Sequence, residues 1–277
     1  MKIALIQQDL VWGNPEENRK KAGKAIDQNP GADIYILPEM WTTGFVTNPK
    51  GVAERVQGEF KGSRVQEFKG SGFPESVGWM MEKAREVDAA IAGSIAVEEE
   101  DGRFFNRFYF VEPSGKITTY DKSHLFKYGG EGLHFSAGKE KVVVEFRGVK
   151  ILLEICYDLR FPMWCRNQIM DDGKAMYDLI IYSADWPLSR KLAWDVFIQA
   201  RAIENQCYVA AVNRIGRDDW GEYFGGSALV HPYGHHIAEC GTDKECVTMG
   251  EIDMAQLERY RTKFPVLNDI IWQTDFS

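Results

Sequence analysis

The stretch ILLEICYDLRFP, residues 151–162, runs a largely apolar segment into Cys156, then an acid, an arginine and a proline. A run that is apolar on both faces suits a strand buried between layers. Pro162 suits the first turn of a helix, where its missing N–H is not needed. Cys156 is therefore expected on a strand-to-helix connection, which can expose a side chain together with its neighbouring backbone amide. An unpaired cysteine is more commonly a small buried hydrophobe, so its surroundings must decide its role.

The same alternation extends outward to both ends. KIALIQ, DIYIL, AAIAGSIAV, RFFNRFYFV, KITTYD, KVVVEF, VKILLEIC, YDLIIYS, CYVAAVN, GGSALVH, HHIAEC and CVTMGEID read as strands. Helices are expected over 15–27, 76–87, 162–171, 189–206 and 254–261. In the fourth, Ala193, Val196, Phe197, Ala200 and Ile203 recur at helical spacing, and Ser189 is placed to cap its start. Two sheets packed together under outer helices, an α/β sandwich, account for this order. The segment EFKGSRVQEFKGSGFPE reads as a surface loop whose two EFKGS copies are too short for a repeat architecture. No linker divides the chain, so residues 1–277 read as one domain.

Composition narrows the function. A formal charge of −8 gives no reason to expect nucleic acid, which needs concentrated Lys and Arg. The first residues, MKIALIQQDLVWG, are too short in apolar character for a signal-peptide core, and no stretch is long enough to span a bilayer. Five cysteines without a C-x-x-C pair fit a reducing cytoplasm. KYGGEG lacks phosphate-loop and dinucleotide fingerprints, so no cofactor is expected. HPYGHHIAEC gathers three histidines and a cysteine, but strand alternation sends His235 and His236 to opposite faces, which argues against a metal.

Three further residues carry chemistry. Glu39 follows a buried strand in DIYILPEMWTTGF, among Pro38, Met40, Trp41 and Phe45, where desolvation would favour proton transfer. Lys122 follows a β-rich stretch in ITTYDKSHLFKYGGEG, and Glu131 lies among glycines of the same segment. Each alone reads as solvated surface.

Together, LPEMWTTGF, YDKSHLF and ICYDLRFP resemble, in order and separation, the Glu, Lys and Cys signatures of the carbon-nitrogen hydrolase (nitrilase) superfamily. The similarity continues through ADWP, ARAIENQCYVAAVNRIG and GGSALVHPYG, and CYDLRFP with ARAIENQ is most similar to the omega-amidase branch. The resemblance implies a four-layer αββα sandwich, commonly paired into a homodimer, and a triad of Glu39, Lys122 and Cys156 with Glu131 helping to position the lysine. Glu39 would exchange protons with Cys156 and the leaving ammonia, while Lys122 and the Tyr157 N–H would hold the oxyanion of a thioester-forming reaction. The implied substrate is a small carboxylated amide such as 2-oxoglutaramate or 2-oxosuccinamate. Deaminated glutathione, a carbamoyl amine, or a non-catalytic binding role on the same scaffold are the alternatives.

A carboxylated substrate needs a cation in a pocket that holds two acids. Arg190 is the first candidate and Arg160 the second, although Arg160 suits an ion pair with a nearby acid equally well. Phe45 and Trp186 are candidate pocket walls. Asp185, Ala193 and Gly132 stand where asparagine, histidine and histidine are frequent in similar sequences, which touches specificity. Cys165, Cys207, Cys240 and Cys246 read as core thiols, and the tail from about 262 to 277 is expected to dock on the body or on a partner subunit.

Overall fold

Alternation along the first strand shows how the core is built. In the computed structural model, which describes residues 1–56, 65–67 and 72–270, β1 (Lys2–Gln7) sends Ile3 and Leu5 into one apolar core and Ala4 and Ile6 into another. A side-chain period of two divides one strand between two layers in this way. In chain order there follow α1 (Pro15–Asp27), β2 (Ile34–Ile36), β3 (Glu54–Arg55), β4 (Val65–Glu67), α2 (Glu75–Val87), β5 (Ala90–Glu98), β6 (Phe104–Val111) and β7 (Lys116–Asp121). The second half contains β8 (Val143–Phe146), β9 (Val149–Ile155), β10 (Leu179–Ala184), α3 (Lys191–Glu204), β11 (Tyr208–Asn213), β12 (Ile215–Asp218), β13 (Gly221–Phe224), β14 (Ala228–Val230), β15 (His236–Glu239), β16 (Cys246–Glu251) and α4 (Met254–Lys263).

One sheet runs β16-β1-β2-β5-β6-β7-β4, with β3 beside β5; the other runs β15-β14-β11-β10-β9-β8. Ile3, Leu5, Phe108 and Phe110 of the first sheet share a core with Leu153 and Ile181 of the second. On the outer face of the first sheet, Ala22 and Ile26 of α1 and Val77 and Met80 of α2 pack with Ala4, Ile6 and Tyr35. Trp194, Ile198 and Ala202 of α3 and Leu257 of α4 cover the second sheet. The result is a four-layer αββα sandwich. β10 is buried along its whole length, as a central parallel strand between two layers must be.

Several expectations need correction. Residues 162–171 form turns, and the helical element after β9 is a short 3₁₀ turn at Cys156–Arg160. Asn167 explains why: its N–H donates to Asn205 Oδ1 at 2.8 Å, and its side-chain Nδ2 donates to the Tyr177 and Asn205 carbonyls, both at 3.0 Å. Side chains take the partners that a helical ladder would have supplied. Ser189 does not cap α3; it lies within a 3₁₀ turn, Leu188–Arg190, and Arg190 occupies the cap position. The buried face of α3 is Trp194, Ile198, Arg201 and Ala202, whereas Val196 and Ile203 are half exposed.

Cys240 and Cys246 are not free core thiols but a disulfide across the turn that joins β15 of one sheet to β16 of the other. The β12–β13 hairpin was not anticipated, because Gly216 and the polar run Arg217-Asp218-Asp219 interrupt any strand pattern. Within the expected 59–75 loop, Val65–Glu67 pairs with β7, while 57–64 and 68–71 lie outside the described residues. In the carboxy-terminal segment, Leu267 is buried and Gln206 Nε2 donates to the Phe264 carbonyl; residues 271–277 lie outside the described residues.

Candidate active site

The central strands of both sheets deliver their carboxyl ends to one place. Ser183 Oγ on β10 donates to the Leu37 carbonyl beyond β2 at 2.6 Å, so the two sheets are fastened together where their strands end. Glu39 follows β2, Lys122 follows β7, Cys156 follows β9 and Asp185 follows β10. Crevices outside the carboxyl ends of parallel strands are where α/β sheets commonly bind ligands.

Two non-glycine residues here hold left-handed backbone: Met40, with φ +39°, beside Glu39, and Cys156 itself, with φ +44°. Such conformations cost about 1–3 kcal/mol and persist only where neighbours enforce them. At Met40 the N–H donates to Ser94 Oγ at 2.9 Å. At Cys156 the enforcing group is Asp158, fully buried, whose Oδ2 accepts from the Ile155 N–H at 3.0 Å and the Tyr120 hydroxyl at 2.8 Å. Its Oδ1 accepts from the His124 N–H at 3.0 Å and faces His124 Nδ1 at 2.8 Å. One carboxylate thus ties the cysteine turn to the segment that carries Lys122.

Lys122, Glu39 and Glu131 are each wholly buried. Lys122 Nζ donates to Glu39 Oε1 at 2.7 Å and to Glu131 at 2.9 and 3.1 Å. Asn106 Nδ2 donates to both acids, at 2.7 Å to Glu39 and 3.1 Å to Glu131. The Phe126 N–H donates to Glu131 Oε2 at 2.6 Å, and the Asp185 N–H to Glu39 Oε2 at 3.1 Å. Glu39 is thus buried, as expected, but ringed by donors and not only by apolar side chains.

Electrostatics fix the resting charges. Burial alone would lower the Lys122 ammonium, but Glu131 and then Glu39 overcome it and hold the group above the ordinary lysine range. The Cys156 thiol is pushed well up, first by burial and then by Glu39; Lys122 opposes the shift, and a hydrogen bond from the thiol to Glu39 reinforces it. The resting cysteine is therefore an S–H directed at a carboxylate. For Glu131, burial raises the pKa, Lys122 lowers it and Glu39 raises it, with a net upward shift.

Lys122, Cys156 and Tyr157 open into a cleft that also takes in Phe45, Asp185 and Trp186. Arg160 and Arg190 line it too. Arg190 stacks over Phe126, 5.0 Å from the ring centre, and Arg160 over Trp186, at 4.8 Å. Burial and then Arg190 depress the Arg160 pKa. Contrary to the ion-pair expectation for Arg160, no acid lies within salt-bridge distance of either guanidinium among the described residues.

A model of the family described as Carbon-nitrogen hydrolase matches residues 2–262. The chain belongs to the carbon-nitrogen hydrolase family. It is 41% identical over 270 residues to Omega-amidase YafV of Escherichia coli K12, covering 97% of this chain and 96% of the relative. It is 35% identical over 271 residues to 2-oxoglutaramate amidase of Bacillus subtilis, with the same coverage. Among solved structures, a CN-hydrolase superfamily protein of Xanthomonas campestris, described with an arsenic adduct in its active site, superposes with a TM-score of 0.88 at 36% identity, covering 98% of this chain and 97% of the other. This carbon-nitrogen hydrolase is of amidase type and lies on the omega-amidase-like branch.

In this carbon-nitrogen hydrolase the structure brings Glu39, Lys122, Glu131 and Cys156 together, with Tyr157, Phe45, Trp186, Arg160 and Arg190 around the same cleft. Of the three departures from similar sequences, Asp185 lines the cleft while Ala193 and Gly132 do not. Sequence reading missed Asn106, although an asparagine inside the apolar strand RFFNRFYFV was a usable signal. It also missed Trp220 and Tyr223, which reach the cleft from the unanticipated hairpin. His231 and His235 stack at 4.4 Å between ring centres and His236 pairs with Glu239; no group of three possible metal ligands forms among the described residues.

Proposed function

We propose that this hydrolase releases ammonia from a small carboxylated amide, in the manner of an omega-amidase, with 2-oxoglutaramate or 2-oxosuccinamate as substrate. The observation that carries the reading is the pair of guanidiniums, Arg160 and Arg190, without an acid at salt-bridge distance among the described residues, in the same cleft as Cys156 and the Glu39-bound Lys122. Two uncompensated cations on aromatic faces are suited to a carboxylate, which guanidinium binds in a planar fork.

In the proposed cycle Glu39 accepts the thiol proton as Cys156 Sγ attacks the amide carbon. The oxyanion is met by the Lys122 ammonium and the Tyr157 N–H, which lies in the first turn of the 3₁₀ element where no intrahelical acceptor exists. Collapse expels ammonia with the proton returned by Glu39, leaving a thioester. Glu39 then activates water, and hydrolysis of the thioester frees the carboxylic acid and the thiol. Glu131 acts through Lys122, holding its charge and position.

The chain is further proposed to work as a homodimer in the cytoplasm, where the Cys240–Cys246 pair would be kept as thiols. The half-exposed Val196 and Ile203 with exposed Leu192 give α3 an uncovered apolar stripe that a second copy would bury. Among the described residues no helix is long and apolar enough to cross a membrane.

The test is an ammonia assay across 2-oxoglutaramate, 2-oxosuccinamate, deaminated glutathione, a carbamoyl amine and a neutral amide. Parallel mass spectrometry of quenched enzyme looks for an acyl adduct that Cys156→Ala lacks. Preference for the carboxylated amides and an adduct on Cys156 are expected. Greatest turnover of a carbamoyl amine would replace the substrate assignment, and a chain that neither acylates nor releases ammonia would be a binding protein on this scaffold.

A further inference from the structure

Asp185 is the one acid of the cleft whose carboxyl the mechanism leaves unused. It is almost completely buried, both carboxyl oxygens are shielded from solvent, and neither has a hydrogen-bond partner among the described residues. Its N–H donates to Glu39 Oε2 at 3.1 Å, which fixes the backbone from which the side chain projects beside the catalytic acid. A buried carboxyl with neither partner nor counter-ion is costly unless something else completes it.

The cations that might neutralise it are engaged elsewhere. Lys122 is held by Glu39 and Glu131. Arg214, between β11 and β12, is held by Asp218 at 2.9 Å and Asp9 at 3.2 Å. The remaining ionisable groups around it are Glu39, Asp218, Cys156 and Tyr223, whose hydroxyl donates to Asp218. Not one of these gives the Asp185 oxygens a donor. Asp185 itself lines the cleft beside Cys156 and Trp186, so a side-chain rotation on substrate binding would bring the carboxyl to the acyl chain.

We propose that the Asp185 carboxyl is a substrate-contacting, specificity-determining group of this cleft, donating a hydrogen bond to a carbonyl or carboxylate oxygen on the acyl chain of the bound amide. The inference rests on the amidase reading and names the group that completes its pocket. Donation requires the proton to be on the carboxyl. Burial pushes this acid well above the ordinary carboxylate range; Arg214 opposes the shift, and Glu39 and Asp218 add to it. In that form it offers one donor and one acceptor and places no third negative charge beside Glu39 and Glu131. Ionised, it would be acceptor-only and would repel an anionic substrate. Its contribution is therefore present below its raised pKa and is lost as pH rises through it.

The test compares wild type with Asp185→Leu, which keeps bulk without a donor, and Asp185→Asn, which keeps a donor without a titration. For a carboxylated amide, Asp185→Leu is expected to lose at least about tenfold in kcat/KM, mainly through KM, with Asp185→Asn recovering most of it. The wild-type KM should rise on the alkaline side, and the rise should be missing in Asp185→Asn and for a neutral amide. Infrared difference spectra at pH 7 give a readout independent of turnover. A protonated-carboxyl band present in wild type, missing in Asp185→Asn, and shifted by 2-oxoglutarate is expected. Asp185→Leu within twofold of wild type, Asp185→Asn no better than Asp185→Leu, or a wild-type spectrum with no protonated-carboxyl band that 2-oxoglutarate shifts would each overturn the assignment. Wild type that releases no ammonia from any amide would instead refute the amidase reading, while the infrared shift still decides Asp185.

Discussion

Glu131→Gln removes one charge from the buried cluster while leaving its shape. The Glu131 carboxylate accepts from Lys122 Nζ at 2.9 Å, Asn106 Nδ2 at 3.1 Å and the Phe126 N–H at 2.6 Å, all without solvent. An amide keeps one acceptor but sets an NH₂ against groups that are themselves donors. Breaking a buried ion pair by removing one partner costs about 3–5 kcal/mol. Glu39 remains at 2.7 Å as a second counter-charge, so the lower end, about 3 kcal/mol, is expected in urea unfolding. If Lys122 holds the oxyanion, its loosening should cost about 10²-fold in kcat. The pH dependence follows from the raised Lys122 pKa. Stability from a raised cation is fully present below the unfolded lysine value, about 10.4, and is lost as pH rises through the folded one. With Glu131→Gln the folded value falls toward the unfolded one, so alkaline unfolding should begin at lower pH. Urea midpoints from neutral to alkaline pH, with ammonia release on the same samples, check both limbs. A variant within about 1 kcal/mol of the parent, with an unshifted alkaline limb, would refute the claim that Glu131 sustains the lysine charge.

Arg190→Ala and Arg160→Ala should each raise KM for a carboxylated amide by about tenfold to a hundredfold, the equivalent of a charge-assisted hydrogen bond of about 1.5–3 kcal/mol, and leave a neutral amide nearly unaffected. Steady-state kinetics on the two substrates decide it, and equal effects on both would show that the arginines only pack. Replacing Cys240 and Cys246 together by serine opens a disulfide that spans six positions of sequence, which should cost about 2 kcal/mol by urea midpoint under oxidising conditions and nothing after reduction. Leu192→Glu combined with Val196→Glu should halve the mass seen by light scattering if α3 is the pairing face. An unchanged dimer would place the contact elsewhere.

Much of this site was legible because LPEMWTTGF, YDKSHLF and ICYDLRFP together resemble the signatures of a known family, whereas Glu39 and Lys122 taken singly read as solvated surface. Glu39 after DIYILP, Lys122 after the β-rich KITTYD and Cys156 after VKILLEI each stand where a strand must emerge. Asn106 was less visible, because one polar residue inside a strand does not say which acids it will meet. The hairpin bringing Trp220 and Tyr223 to the cleft was hidden behind glycines and charges, and the apparent helix after Pro162 was displaced by hydrogen bonds to Asn205, 38 residues away. That partner lies far outside any local window.

Taken alone, the order of residues determined the alternation of strands and helices and the layered class, since periodicity is a property of short segments, and through the resemblance of three motifs it pointed to the acid, lysine and cysteine of the site. Only the tertiary structure decided which face of α3 is buried, that Arg160 and Arg190 share a cleft with Asp185 yet have no acid within salt-bridge distance among the described residues, and that the Asp185 carboxyl has no hydrogen-bond partner among them. The physical reason is that burial, charge pairing and hydrogen-bond satisfaction depend on neighbours distant in the chain, and those neighbours are set only when the two sheets close on each other.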